Sequence, residues 1–195
     1  MKKLVVFLMV SLLASSAFAV VDPDSDSIGI YFDETADANC ADPVLYAPFP
    51  AYIIITNPSQ PVVAGFEASW TPMGTPGQLI LNAFSFPVQT VNVGDNYNIL
   101  AGFNTALPAT EAVIVANMTF LMVGSDPNPI ILGPATPSSG TDGLPLYQGE
   151  VPGVFFNLGP SSGSVDLPVA EIYGGCPVAV ENETWGGVKT NIKKK

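Results

Sequence analysis

The chain has 195 residues, with 17 acidic side chains, six lysines, no arginine and no histidine, for a formal charge of −11. The lysines sit only at the ends (Lys2, Lys3, Lys189 and Lys193 to Lys195), so from Val20 to Val188 all 17 carboxylates lack a cationic neighbour in sequence. That balance excludes nucleic-acid binding, disfavours phosphate-bearing cofactors, and rules out Ser-His-Asp catalysis, Cys-His catalysis and His-ligated zinc.

The N-terminus opens with Lys2 and Lys3, an apolar run from Leu4 to Leu13, and small residues ending in Ala17-Phe18-Ala19. These are the parts of a secretory signal peptide, residues 1–19, with cleavage expected after Ala19. The apolar run is shorter than the ~20 residues needed to span a bilayer. The longest later candidate, Glu111 to Val123, is interrupted by Asn117 and Thr119, so no membrane span is expected. The exported remainder reads as one domain over residues 20–188 followed by a basic tail over 189–195, with a periplasmic or extracellular location.

Directly after the expected cleavage site, Asp22, Asp24 and Asp26 alternate, with Asp33, Glu34 and Asp37 close behind. Closely spaced carboxylates suit calcium, although the turn glycine and bidentate glutamate of an EF-hand are missing. The alternative is a solvated acidic segment that favours solubility.

Apolar or alternating segments then recur between Pro, Gly, Asn, Asp and Ser, which is the pattern of a sandwich or barrel. They are expected at Ile28 to Phe32, Ala51 to Thr56 and Val63 to Thr71. In the last of these, Ala64, Phe66, Ala68 and Trp70 share one face, and Glu67, Ser69 and Thr71 the solvent-facing other. Further strands are expected at Gln78 to Phe86, Thr90 to Val93 and Tyr97 to Phe103. Val113 to Val123 is the longest and most apolar, and is read as central. After Ile130 to Leu132 the stretch Gly133 to Gly143 is a loop. Val154 to Asn157, Val165 to Glu171 and Val178 to Val180 complete about nine or ten strands. The segment from Asn182 to Lys195 is read as a helical turn or a frayed end.

The exported part holds two cysteines, Cys40 and Cys176. In an oxidising compartment an even pair reads as a disulfide, here closing nearly the whole domain. In the chain-entropy model such a loop contributes about 5 kcal/mol at most.

At two places the chain resembles cohesin-like β-sandwich modules: VAGFEASWTP (Val63 to Pro72) and IVANMTFLMVG (Ile114 to Gly124), the latter like the long central strand of those modules. It is also similar to secreted bacterial proteins of this general make-up. The resemblance implies a nine-stranded jelly-roll sandwich with a protein-binding role. The fold class expected is therefore all-β, an antiparallel β-sandwich of jelly-roll, cohesin-like or Ig-like type.

Three function classes remain open. The first is a non-enzymatic binding or structural module acting through protein contacts at the cell surface or in the extracellular space. The second is a carbohydrate-binding module, calcium-assisted if the aspartates bind the ion, with an exposed aromatic as its platform. Trp185, in the polar context NETWGG, is the candidate; Trp70 is expected in the core. The third is a glycoside hydrolase, which needs two carboxylates; Glu67, Glu111, Glu150 and Glu171 are available, but no spacing pairs them. Asn117 and Asn182 head glycosylation sequons, which matter only in a glycosylating host.

Overall fold

The computed structural model describes residues 23–175. The signal peptide, Asp22, Cys176, the strand expected at Val178 to Val180, the sequon at Asn182, Trp185 and the basic tail lie outside the described residues. Thirteen strands and no helix occur among the described residues: β1 (Ser27–Tyr31), β2 (Cys40–Ala41), β3 (Pro48–Thr56), β4 (Val62–Pro72), β5 (Leu79–Ser85), β6 (Thr90–Asn92), β7 (Asn98–Pro108), β8 (Ala112–Met122), β9 (Asn128–Gly133), β10 (Leu146–Gln148), β11 (Phe155–Asn157), β12 (Gly159–Pro160) and β13 (Pro168–Ile172).

The strands form a five-stranded sheet, β12-β1-β3-β8-β5, and a larger sheet, β11-β10-β4-β9-β13-β2, to which β7 and β6 add on the free side of β4. Period-two alternation sends Ile28, Ile30, Ile53 and Ile55 from the first sheet against Phe66, Ala68, Trp70 and Ile99 from the second, and all of these are buried in one core. The chain is thus an all-β sandwich, as expected. It departs from a purely antiparallel one at two edges, where the two-residue strands β12 and β2 pair in parallel with β1 and β13.

Eight strands are five residues or longer; the other five are pieces of two or three residues, of which β6 and β11 fall within expected strands and β2, β10 and β12 do not. β3 starts earlier than expected, at Pro48, because β1 covers only Tyr52 to Thr56 on one side. Pro48 and Pro50 therefore fall where β3 needs only one neighbour, and prolines are tolerated at such edge positions.

Cys40, in β2, lies opposite Glu171 on β13. Cys176 lies outside the described residues, and so does the expected Cys40–Cys176 disulfide. A small second cluster lies outside the five-stranded sheet, where the loop after β1 folds back and buries Ala36 on Tyr31 and Ile54.

Candidate functional site

The site arises from how β4 is flanked. One edge of β4 pairs with β7. On the other edge β9 pairs with Ser69 to Pro72 and β10 pairs with Gly65 to Glu67. The chain between them, residues 134–145, leaves the sheet plane and crosses its outer face. Four side chains hold it there. Ser69 Oγ donates to the Pro134 carbonyl at 2.8 Å. Asn98, opposite Ser69, takes both backbone groups of Thr136, donating to its carbonyl at 2.7 Å and accepting from its amide at 2.8 Å. Glu67 accepts from the Ser139 amide on Oε2 at 2.8 Å and from the Ser139 hydroxyl on Oε1 at 2.6 Å. Leu146, which shares the outer face with Glu67, is covered beside Gly140.

The expectation of a solvent-facing Glu67 is thus corrected. Its side chain is on the outer face, but the crossing loop leaves it only 8% exposed. Alternation reports which face a residue is on; it cannot report that a loop from elsewhere lies over it.

Beside the loop the outer face stays open. The strand registers put Val91, Gly102, Gly65, Gln148 and Phe155 in one row across β6, β7, β4, β10 and β11. Two adjacent glycines in the middle of that row leave a trough of about 430 Å³. Four inter-strand steps of about 4.8 Å make the row ~19 Å long. One wall is the neighbouring row, with Val93, Leu100 and Glu67, continued by Ser139 of the loop. Its ends are apolar: Val91 is 60% exposed and Val93 76%, and Phe155 is partly exposed at the opposite end. Gly102 has open space above it, whereas a Cβ on Gly65 would stand 2.4 Å from the Ala101 carbonyl oxygen.

Sequence reasoning missed this trough, although one signal for it exists. The tripeptide Ala-Gly-Phe occurs twice, at Ala64 to Phe66 and Ala101 to Phe103. The strands pair so that both glycines face out while both phenylalanines face in, their ring centroids 6.1 Å apart. Val91, Val93, Ser139 and Phe155 gave no sequence signal of their own, because the trough joins them only through register.

Of the expected site residues, Asp22 and Trp185 lie outside the described residues. Asp24 is exposed. Asp26 is structural: its Oδ1 accepts from the Ser59 amide at 2.7 Å and the Tyr147 hydroxyl at 2.6 Å. Burial and then the Asp26 carboxylate raise the Tyr147 phenol above the ordinary tyrosine range, despite the opposing bonds from Ser59 and Gln60. Asp33 caps its own loop, accepting from the amides of Asp37 and Ala38. No three His, Cys, Asp or Glu among the described residues converge on a point that can hold a metal ion. Trp70 is in the core as expected, 2% exposed, stacked on Tyr97 at 4.7 Å and donating from Nε1 to the Asn96 carbonyl. Glu111 lies in the turn between β7 and β8, Glu150 follows β10 and Glu171 is on β13. Among the described residues Glu67 is the only carboxylate lining the trough.

No protein-family model matches the sequence, and no curated protein matches it. Among solved structures the chain is similar to a cohesin module from a family 33 glycoside hydrolase of Clostridium perfringens, at 14% identity and a TM-score of 0.44, over 68% of this chain and 88% of that one. It is also similar to the sixth cohesin of scaffoldin B from Acetivibrio cellulolyticus, solved in complex with a mutant Cel5 dockerin. That likeness has 11% identity and a TM-score of 0.42, over 76% of this chain and 98% of the other. Both are cohesin modules, the group that the two strand segments resemble.

Proposed function

We propose that this chain is an exported, non-enzymatic binding module that acts through contacts with a protein partner, and that the trough over Gly65 and Gly102 is the contact surface. The observation that supports this most is the trough itself: an open, mostly aliphatic concavity on the outer face of a sheet, held in shape by the stapled loop. Concave apolar surfaces with a few fixed polar groups are where partners bind. A second carboxylate, which glycoside hydrolysis requires, is missing from its lining among the described residues. The lining also favours protein over sugar, because Val91, Val93 and Leu100 are aliphatic and the exposed aromatic, Phe155, stands at one end rather than forming a platform along the trough.

The test is a pull-down from the producing culture's medium and envelope fractions with three forms of the exported protein: wild type, Gly102→Tyr and Ala83→Tyr. Gly102→Tyr fills the trough where space is open. Ala83→Tyr alters an exposed position on β5 of the other sheet. A protein captured by wild type and Ala83→Tyr but lost with Gly102→Tyr supports the reading. Capture of a polysaccharide, or of a protein that Gly102→Tyr retains, would overturn it.

A further inference from the structure

The charge in the trough narrows the partner's chemistry, an inference that rests on the reading of the trough as the contact surface. Glu67 is flanked in register by Leu100 on β7 and Leu146 on β10, so its carboxylate is set in an apolar strip. Its two hydrogen bonds come from the neutral Ser139 amide and hydroxyl, and a carboxylate has lone pairs for about four. The described residues include no lysine, arginine or histidine, so none of them supplies the countercharge that a nearly buried carboxylate calls for, and another molecule can. The surroundings point the same way. Asp95 follows Val93 by two residues, Asp142 accepts from Asn157 of β11 at 2.7 Å, and Glu150 follows Gln148 by two. An approaching cation therefore meets carboxylates around the trough and no repelling charge among the described residues.

The trough's shape selects among cations. Its floor carries no side chain at Gly65 and Gly102, and the exposed Gly102 has open space above it, a bed beside a largely aliphatic wall. A guanidinium is planar, is more weakly hydrated than an ammonium and binds a carboxylate with two parallel N–H bonds, while its stem lies along apolar surface. We infer that the trough receives an arginine side chain from an extended segment of a protein partner, with apolar residues on either side of that arginine reaching Val91 and Val93 at one end and Phe155 at the other. An extended chain rises ~3.3 Å per residue, so about six residue lengths span the row, the reach of a pentapeptide with its two end caps.

The probe is the pentapeptide acetyl-Leu-Ser-Arg-Ser-Leu-amide and its counterpart with citrulline, which keeps the shape of arginine and lacks its charge. Each is titrated into the full chain by amide-resolved NMR. The expected result is a set of shifts centred on Gly65, Gly102 and Ser139, with the citrulline peptide weaker by about tenfold or more, the loss of one charge-assisted fork. Glu67→Gln provides the converse. Its Oε1 accepts from the Ser139 amide and its Nε2 donates to the Ser139 hydroxyl, so the loop stays in place, and the arginine peptide's advantage should disappear.

Equal binding of the two peptides, absence of binding by either, or shifts centred on the Asp33–Asp37 loop would each overturn the inference. If Gly102→Tyr also abolishes capture of the natural partner, the trough still stands as the contact surface and only its taste for arginine fails.

Discussion

Two side chains do structural work that their type does not announce. Tyr147 is fully buried, with its hydroxyl on Asp26 and shared with the Ser59 hydroxyl and the Gln60 amide. Burial raises its phenol above the ordinary value of 10.0. Between the unfolded and folded values the native state holds the extra proton. The stabilisation is therefore complete below about pH 10 and is lost as pH rises above it. Urea denaturation across the alkaline range should show stability falling from about pH 10, and Tyr147→Phe should flatten that limb while costing about 1–3 kcal/mol at neutral pH. The flattening should be partial, since burial and then Glu34 raise Tyr52 as well. An alkaline limb unchanged in Tyr147→Phe would refute the assignment. Glu67 makes a matching case. Glu67→Ala releases both Ser139 bonds and should lower stability by about 2 kcal/mol. It should also speed hydrogen exchange of the Ser139 amide, whereas Glu67→Gln should leave that amide protected.

At the scale of strands, the two glycines of the trough should respond in opposite ways. Ala on Gly65 meets the Ala101 carbonyl oxygen at 2.4 Å and must push β7 away, a cost of about 1–3 kcal/mol. Ala on Gly102 meets nothing and should be neutral or slightly stabilising, since glycine weakens a strand interior. Thermal melts of the two variants check this, and equal losses would mean that the register across Gly65 and Gly102 is wrong. The contrast also marks how far sequence reaches. Alternation over Val63 to Thr71 found β4, its inward Trp70 and its outward Glu67 correctly, because a half-buried strand prints its faces in its own residues. Sequence reasoning did not find β2, β10 and β12, whose two or three residues are too few to carry a period and which exist only because a neighbour offers an edge. The trough was hidden for the same reason: Val91, Gly102, Gly65, Gln148 and Phe155 are adjacent only through four registers at once. The calcium expectation rested on Asp22, Asp24 and Asp26. Among the described residues Asp26 holds the turn at Ser59 and the Tyr147 hydroxyl, a role set by residues 33 and 121 positions away that local spacing does not show.

For the molecule as a whole, charge is the term that composition already fixed. Three of the 17 acidic residues (Asp22, Glu181 and Glu183) lie outside the described residues, leaving 14 carboxylates with no cationic side chain in the described sandwich. Several of those carboxylates accept from neutral donors instead. Asp95, for example, stays below the usual carboxylate range because the Asn98 and Tyr97 amides donate to it, and Asp126 accepts from Thr75 and Gln78. Such bonds do nothing for the repulsion among the carboxylates themselves, which acts between surface charges over a Debye length and favours the expanded chain. In a protein braced by surface ion pairs salt weakens attraction; here it can only relieve repulsion. Raising NaCl from about 10 mM to about 0.3 M shortens the Debye length from ~30 Å to below ~10 Å. If that removes about 1 kcal/mol of repulsion, a domain of this size should melt about 2–4 °C higher. Capture of the partner should change in the opposite sense, because an arginine drawn to an all-acidic face loses its steering as salt rises. Scanning calorimetry and a binding assay over one salt series therefore read the same field from both sides. A melting temperature that falls with salt would mean that cations from elsewhere in the chain already neutralise the sandwich, and the trough would then have no unmet charge to offer a partner.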